Sequence, residues 1–166
     1  MVTIPECLAQ IMAVGGEVRP ACGLPDLRDP TTERLPPDLR TFYSLCGGLT
    51  LEPLRASGLR ISSPGQFVLT ERTVHGGYLD QGDPGQHWYL LAVASFGDSV
   101  SIDLSELGRG RVLNSAMGYH GIPGDCWVIA RSFSEFLRRV IENHDDEPYW
   151  FAPGFEALGD AYEQKF

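Results

Sequence analysis

Apolar residues recur at helical spacing toward the two ends of this chain and at strand spacing between them. Residues 3 to 14 open with Thr3, Pro5 and Glu6, a capping-box start, and carry Ile4, Leu8, Ile11 and Met12 on one stripe. Gly15-Gly16 closes that helix. Leu35-Pro36-Pro37-Asp38 begins a second one, because proline presets φ and lacks a donor that the first turn would leave unused. Leu39, Phe42, Tyr43 and Cys46 form its apolar face, Gly47-Gly48 stops it, and Leu49-Thr50-Leu51 starts a strand. A third helix opens at Ser132, with Glu135 completing a capping box. Phe133, Phe136, Leu137, Val140 and Ile141 share its buried face, and it ends at Asn143. Tyr149-Trp150-Phe151 reads as an aromatic tether, and a short final helix is expected over 153 to 164 on Phe155, Leu158 and Tyr162.

The middle of the chain reads as short strands. Candidates are 59 to 62 and 67 to 70, joined by the turn Ser63-Pro64-Gly65. Trp88 to Ala94 is apolar on both faces, as a central strand would be. In 99 to 104, Val100, Ile102 and Leu104 alternate with Ser99, Ser101 and Asp103, which predicts a half-exposed strand with one polar face. Shorter strands follow at 111 to 113 and 126 to 130. Connections of a few residues allow only antiparallel neighbours. Residues 17 to 34 and 76 to 86 read as loops, and 115 to 125 as a longer loop carrying the pair Tyr119-His120. No repeat and no long linker divides the chain, so 1 to 166 is one domain, with a core over about 35 to 143 and an extension over 144 to 166.

Charge narrows the function classes. Thirteen cations stand against 22 carboxylates, a formal net charge of -9. Nucleic-acid binding needs clustered cations to neutralise phosphates, so that class is disfavoured. The same balance suits a basic protein partner. No stretch approaches the ~20 apolar residues of a membrane span. The N-terminus lacks a basic region ahead of an apolar run, so a soluble cytoplasmic protein is expected.

No G-x-G-x-x-G, P-loop, G-x-S-x-G or H-E-x-x-H spacing is present. Histidines at 75, 87, 120 and 144 show no i, i+4 pairing with one another, and cysteines at 7, 22, 46 and 126 form no C-x-x-C. Neither a metal site nor a cofactor is expected, and the cysteines read as buried free thiols. Cys46 falls on an apolar helix face, where core packing is a better account than nucleophilic catalysis. Asp98 follows Gly97 in a hairpin turn, where an aspartate accepts local backbone hydrogen bonds. Asp145-Asp146-Glu147 reads as a solvated loop. The partner-facing residues expected from polar or aromatic character are Glu71, Asp98, Asp103, Tyr119 and His120.

Three blocks in order carry a family resemblance. They are Leu35-Pro36-Pro37-Asp38-Leu39-Arg40-Thr41-Phe42-Tyr43 closing on Gly47-Gly48, the strand pair Leu91 to Leu104 around Gly97-Asp98 and Ile102-Asp103-Leu104, and Ala130-Arg131-Ser132-Phe133-Ser134-Glu135-Phe136-Leu137. Together they resemble the SMI1/KNR4 (SUKH) superfamily over about 35 to 143, with Cys46 where asparagine is common before the double glycine. The loops 17 to 34 and 76 to 87 are particular to this chain. The resemblance implies an α+β fold, a twisted antiparallel sheet of about five to six strands with N-terminal and C-terminal helices packed on it. It also implies a non-enzymatic binding role. Bacterial relatives commonly act as immunity proteins that neutralise a cognate toxin, often a nuclease, and fungal relatives act as regulatory scaffolds. A regulatory scaffold or small-ligand sensor without a toxin partner is the alternative, and an unrecognised hydrolase a third reading.

Overall fold

The computed structural model describes residues 3–51, 58–77, 80, 82–94, 96–143 and 147–163. Among them the elements run α1 (Ile4–Ala13), β1 (Glu17–Pro20), α2 (Pro37–Leu45), β2 (Cys46–Thr50), β3 (Leu59–Ile61), α3 (Thr70–Val74), β4 (Trp88–Ala94), β5 (Ser99–Asp103), β6 (Val112–Ser115), β7 (Val128–Ala130) and α4 (Phe133–Glu142). The seven strands form one sheet in chain order, each antiparallel to the next. This is the expected α+β class, with a sheet wider than the five to six strands foreseen. Among the described residues no helix is long and apolar enough to cross a membrane. Asp145, Asp146 and residue 164 of the expected final helix lie outside the described residues.

Helices α1, α2 and α4 pack on one another over one face of the sheet. The capping box at Thr3 forms as expected: Thr3 Oγ1 accepts from Glu6 N, and Glu6 Oε2 accepts from Thr3 N at 2.7 Å. At α4 only half of the box forms. Ser132 Oγ accepts from Glu135 N, while Glu135 Oε2 takes the backbone N–H of Arg131 instead. Asp38, in the first turn of α2, accepts from both Ser134 N and Ser134 Oγ and so ties α2 to the start of α4. Between helices and sheet, Phe42 meets Phe133 and Tyr43 edge-on, Tyr43 meets Phe67, and Phe67 stacks on Tyr89. Tyr43 Oη donates to the Ser62 carbonyl oxygen, which satisfies a phenol that would otherwise be stranded in the core.

Four expectations about local structure change. Gly47 and Gly48 lie inside β2 instead of stopping α2. A Cβ at Gly47 would stand 2.5 Å from the Pro20 carbonyl oxygen, and Gly48 has φ +112° with the Ile61 carbonyl oxygen 2.9 Å from where its Cβ would be. The pair is there for close backbone approach on both sides of the strand. Residues 17 to 20, read as loop, form the edge strand β1, kept from further pairing by Pro20 and the charged Glu17 and Arg19. Residues 67 to 70 are not a strand. Leu69 makes an isolated bridge to Tyr89 before α3 begins at Thr70. Residues 158 to 161 are not helical: they run along the free edge of β7, with Val128 N donating to the Gly159 carbonyl and Leu158 N to the Val128 carbonyl. An edge with unpaired N–H and C=O groups needs such a cover, and that demand overrides a weak helical pattern.

Loop 21–34 is fixed by Glu33, which is 1% exposed. Its carboxylate accepts from Tyr89 Oη at 2.6 Å and Asp29 N, and faces His87 Nδ1 at 2.9 Å and Arg28 at 3.7 Å. Burial and the Glu33 partner push the Tyr89 phenol up to about 12.

The glycine argument is testable by urea unfolding. Gly47→Ala is expected to lower stability by about 1–3 kcal/mol through overpacking. Gly65→Ala, with nothing within 4 Å of the new Cβ, is expected to stay within about 0.5 kcal/mol of the parent.

Candidate functional site

The second face of the sheet is covered too. Trp88, Leu113, Cys126, Val128 and Ala161 form a smaller apolar cluster there, away from the helix-facing core. Helix α3 packs against β4 and β5 on this side, and Thr70 Oγ1 accepts from Ser101 Oγ at 2.7 Å. Ser101 Oγ also meets Ser115 Oγ. The alternating pattern of 99 to 104 therefore does not mark a half-exposed strand. Ser99, Ser101 and Asp103 are all buried, because a second layer replaces the solvent that period-two alternation suggests.

Asp103 is 1% exposed and is held on every side. Arg111 reaches its Oδ2 through Nε at 3.0 Å and Nη2 at 2.9 Å, while Ser105 N donates to Oδ1. Arg111 Nη2 also donates to the Ala161 carbonyl oxygen, so the pair fastens the C-terminal segment to the sheet. Loop 104–110 lies directly on the carboxylate: a Cβ at Gly108 would overlap Asp103 Cγ. Asp103 was expected on a polar binding face, and it has no exposed surface to offer one.

Glu71 and His120, also expected to be exposed, are 4% and 2% exposed. They meet. Glu71 Oε2 lies 3.1 Å from His120 Nε2 and 3.3 Å from Nδ1 of the exposed His75. Glu71 and His75 stand four residues apart, on one face of α3 and its C-cap. His120 arrives from the turn 116–121, where its N–H bonds to the Ala116 carbonyl. Burial holds the His120 imidazole below its ordinary value, opposed by the negative charge and hydrogen bond of Glu71. The three side chains, with Asp83, Gly118, Gly121 and Ile122, line a cleft of about 280 Å³. His75 was absent from the expected site. Its i, i+4 relation to Glu71 is present in the sequence but has meaning only on a helix, and this stretch reads as strand and loop.

The other two expected residues reach solvent in part. Asp98 is half-buried in the β4–β5 turn, where its carbonyl accepts from Ala94 N, beside the exposed Phe96. Tyr119 is half-buried with its ring between Trp127 and Phe151, at 5.5 and 5.9 Å. The same loop presents two apolar residues that sequence reading passed over, Met117 at 79% exposure and Ile122 at 42%. The expected set thus separates into buried ties (Glu71, Asp103, His120) and a surface pair that lies on different loops (Asp98, Tyr119).

No family model matches the chain, and no solved structure matches it. A curated relative does. Immunity protein YokJ of Bacillus subtilis (strain 168) is 32% identical over 143 residues, 86% of this chain and 85% of that protein. The chain belongs to the YokJ family. A span of 143 residues within 166 cannot miss residues 24 to 143, so β2 to α4 and the buried ion clusters around Glu33, Glu71 and Asp103 fall inside the region shared with YokJ.

The thiols bear on the hydrolase reading. Cys7, Cys46 and Cys126 are buried as expected, but Cys22 is exposed. Burial raises all three buried thiols, Cys126 to about 12, which disfavours the thiolate a nucleophile would need. At pH 8 a disulfide reagent is expected to titrate one thiol per native YokJ-family chain quickly and all four after denaturation. Fast labelling of Cys46 would restore it as a candidate nucleophile. Asp103→Ala removes the carboxylate that Arg111 binds through Nε and Nη2 in the back layer and is expected to cost about 3 kcal/mol in chemical denaturation.

Proposed function

We propose that this chain is an immunity protein: it binds a cognate protein toxin and neutralises it by covering the toxin's active or substrate-binding surface. The observation that carries this reading is the 32% identity to immunity protein YokJ across 86% of the chain. The toxin is a basic protein, with a nuclease as the first class to examine, because a net charge of -9 complements a surface built to hold phosphates. The role is non-enzymatic and cytoplasmic, where an incoming toxin would meet it, and it involves neither nucleic acid nor membrane. The three sequence blocks and the α+β sheet support placing the family within the SUKH superfamily.

Occlusion needs a firm surface with apolar anchors. Loop 116–126 supplies one. Met117 and Ile122 are exposed on it, and Tyr119 of the same loop is braced by Trp127 and Phe151. Its backbone is held by bonds from Tyr119 N and His120 N to Ala116 O and from Cys126 N to Ile122 O. Asp98 and Phe96 at the β4–β5 turn are a second exposed point for a partner to touch.

Co-expression with the toxin encoded beside this chain tests the proposal. Cells carrying both are expected to survive where cells carrying the toxin alone die, and the two proteins are expected to elute together from a sizing column. The double substitution Met117→Asp, Ile122→Asp is expected to weaken the complex more than about 10-fold while leaving the fold's circular dichroism unchanged. Equal killing with and without this chain, together with separate elution, rejects the pairing.

A further inference from the structure

We propose that Glu71, His75 and His120 form a binding site for one divalent transition-metal ion of the zinc class, which joins α3 to the turn 116–121. The proposal is independent of the toxin reading. It concerns a buried-to-surface cluster that the chain assembles by itself, from residues 45 positions apart at the nearest inter-segment pair, His75 and His120.

The donor set selects the ion. Two imidazoles and one carboxylate suit zinc and its neighbours in the first transition row, while magnesium and calcium prefer all-oxygen shells. Two histidines and a glutamate are also a known three-ligand zinc set, which leaves a coordination position for solvent. All three ligands line the cleft, and Asp83 adds a further carboxylate to its wall.

The geometry is close to what such an ion requires. Ligands at about 2.0–2.1 Å around a tetrahedral centre lie about 3.3 Å from one another. Glu71 Oε2 stands 3.1 Å from His120 Nε2 and 3.3 Å from His75 Nδ1, and all three ligand atoms lie within 4.8 Å of one another. The remaining histidine-to-histidine gap closes by turning the His75 ring, whose side chain is 47% exposed and has room to move. Glu71 and His120 supply the fixed part of the site, being 4% and 2% exposed. The ion takes the place of the imidazole–carboxylate hydrogen bonds, and each ring then carries its proton on the nitrogen turned away from the metal. For His120 that nitrogen is Nδ1, which is buried and has no hydrogen-bond partner among the described residues. A metal-bound histidine usually donates its second N–H to a neighbour, so this site is expected to bind in the micromolar range, weaker than a closed structural zinc centre.

Calorimetry on the full chain, stripped with chelator and titrated with zinc chloride, tests the assignment. One zinc per chain is expected, with no heat of binding from magnesium or calcium chloride. Cobalt(II) is expected to give the strong visible absorption of a low-coordinate nitrogen–oxygen site. His75→Ala is the informative variant, because the exposed ring can be lost without harm to the core. It is expected to keep the metal-free melting temperature and to weaken zinc binding more than about 10-fold. Zinc is expected to raise the melting temperature of the parent chain and not that of His75→Ala. Absence of zinc binding to the parent overturns the proposal, as does binding by His75→Ala with parental affinity and stoichiometry. Since no toxin enters the experiment, its failure leaves the immunity reading untouched, and failure of the co-expression test leaves this one untouched.

Discussion

A sheet buried on both faces must find partners for most of the polar groups it carries, and this constraint organises the molecule. The helix-facing side is mostly apolar, with Leu91, Val100, Ile102 and Val112 in the main core, and its Tyr89 phenol donates to Glu33. The other side carries serines, an aspartate and a tryptophan; the serines and the aspartate need partners and find them, while the Trp88 indole N–H has none among the described residues. Ser101 finds Thr70 and Ser115, and Asp103 finds Arg111 and Ser105. Because Arg111 also binds the Ala161 carbonyl, one ion pair holds sheet, loop and C-terminal segment together. Removing its anion would leave a guanidinium in a low-dielectric layer, which is why so small a group bears on the whole back face.

The same constraint draws in loop 116–126. His120 enters beneath the surface to meet Glu71, and its ring lies edge-on to Trp88 at 5.6 Å. The turn is tied from below, and the exposed Met117 and Ile122 belong to a loop whose backbone is hydrogen-bonded to itself. Support from beneath and apolar exposure above are what a protein that acts by covering another needs, since ordering a loose loop would be subtracted from the binding energy. Membership of the YokJ family and the acidity of the chain agree with such a role.

Local signals in the chain were readable where local forces control the outcome. Thr3 and Glu6 open α1, Ser132 opens α4, and the apolar run Trp88–Ala94 is a central strand, because capping and burial act within a few residues. Errors fell where a distant segment supplies the missing partner. Gly47-Gly48 looked like a helix stop, and the need for it comes from Pro20 on one side and Ile61 on the other. Residues 158 to 161 looked weakly helical, and the open edge of β7 recruits them as an extended cover.

The sequence by itself determined the three longer helices and the antiparallel pairing of β4 with β5, since periodicity, caps and short connections are properties of adjacent residues, while the α+β class came with the family resemblance. Only the tertiary structure decided which polar residues face water. Asp103 and His120 have the composition of surface groups and sit at 1% and 2% exposure, because a second layer closes over the sheet and no pattern within one strand can announce a layer built from elsewhere. It was likewise the fold that brought His120 to Glu71, and added to these two expected residues His75, which sequence reading had left out.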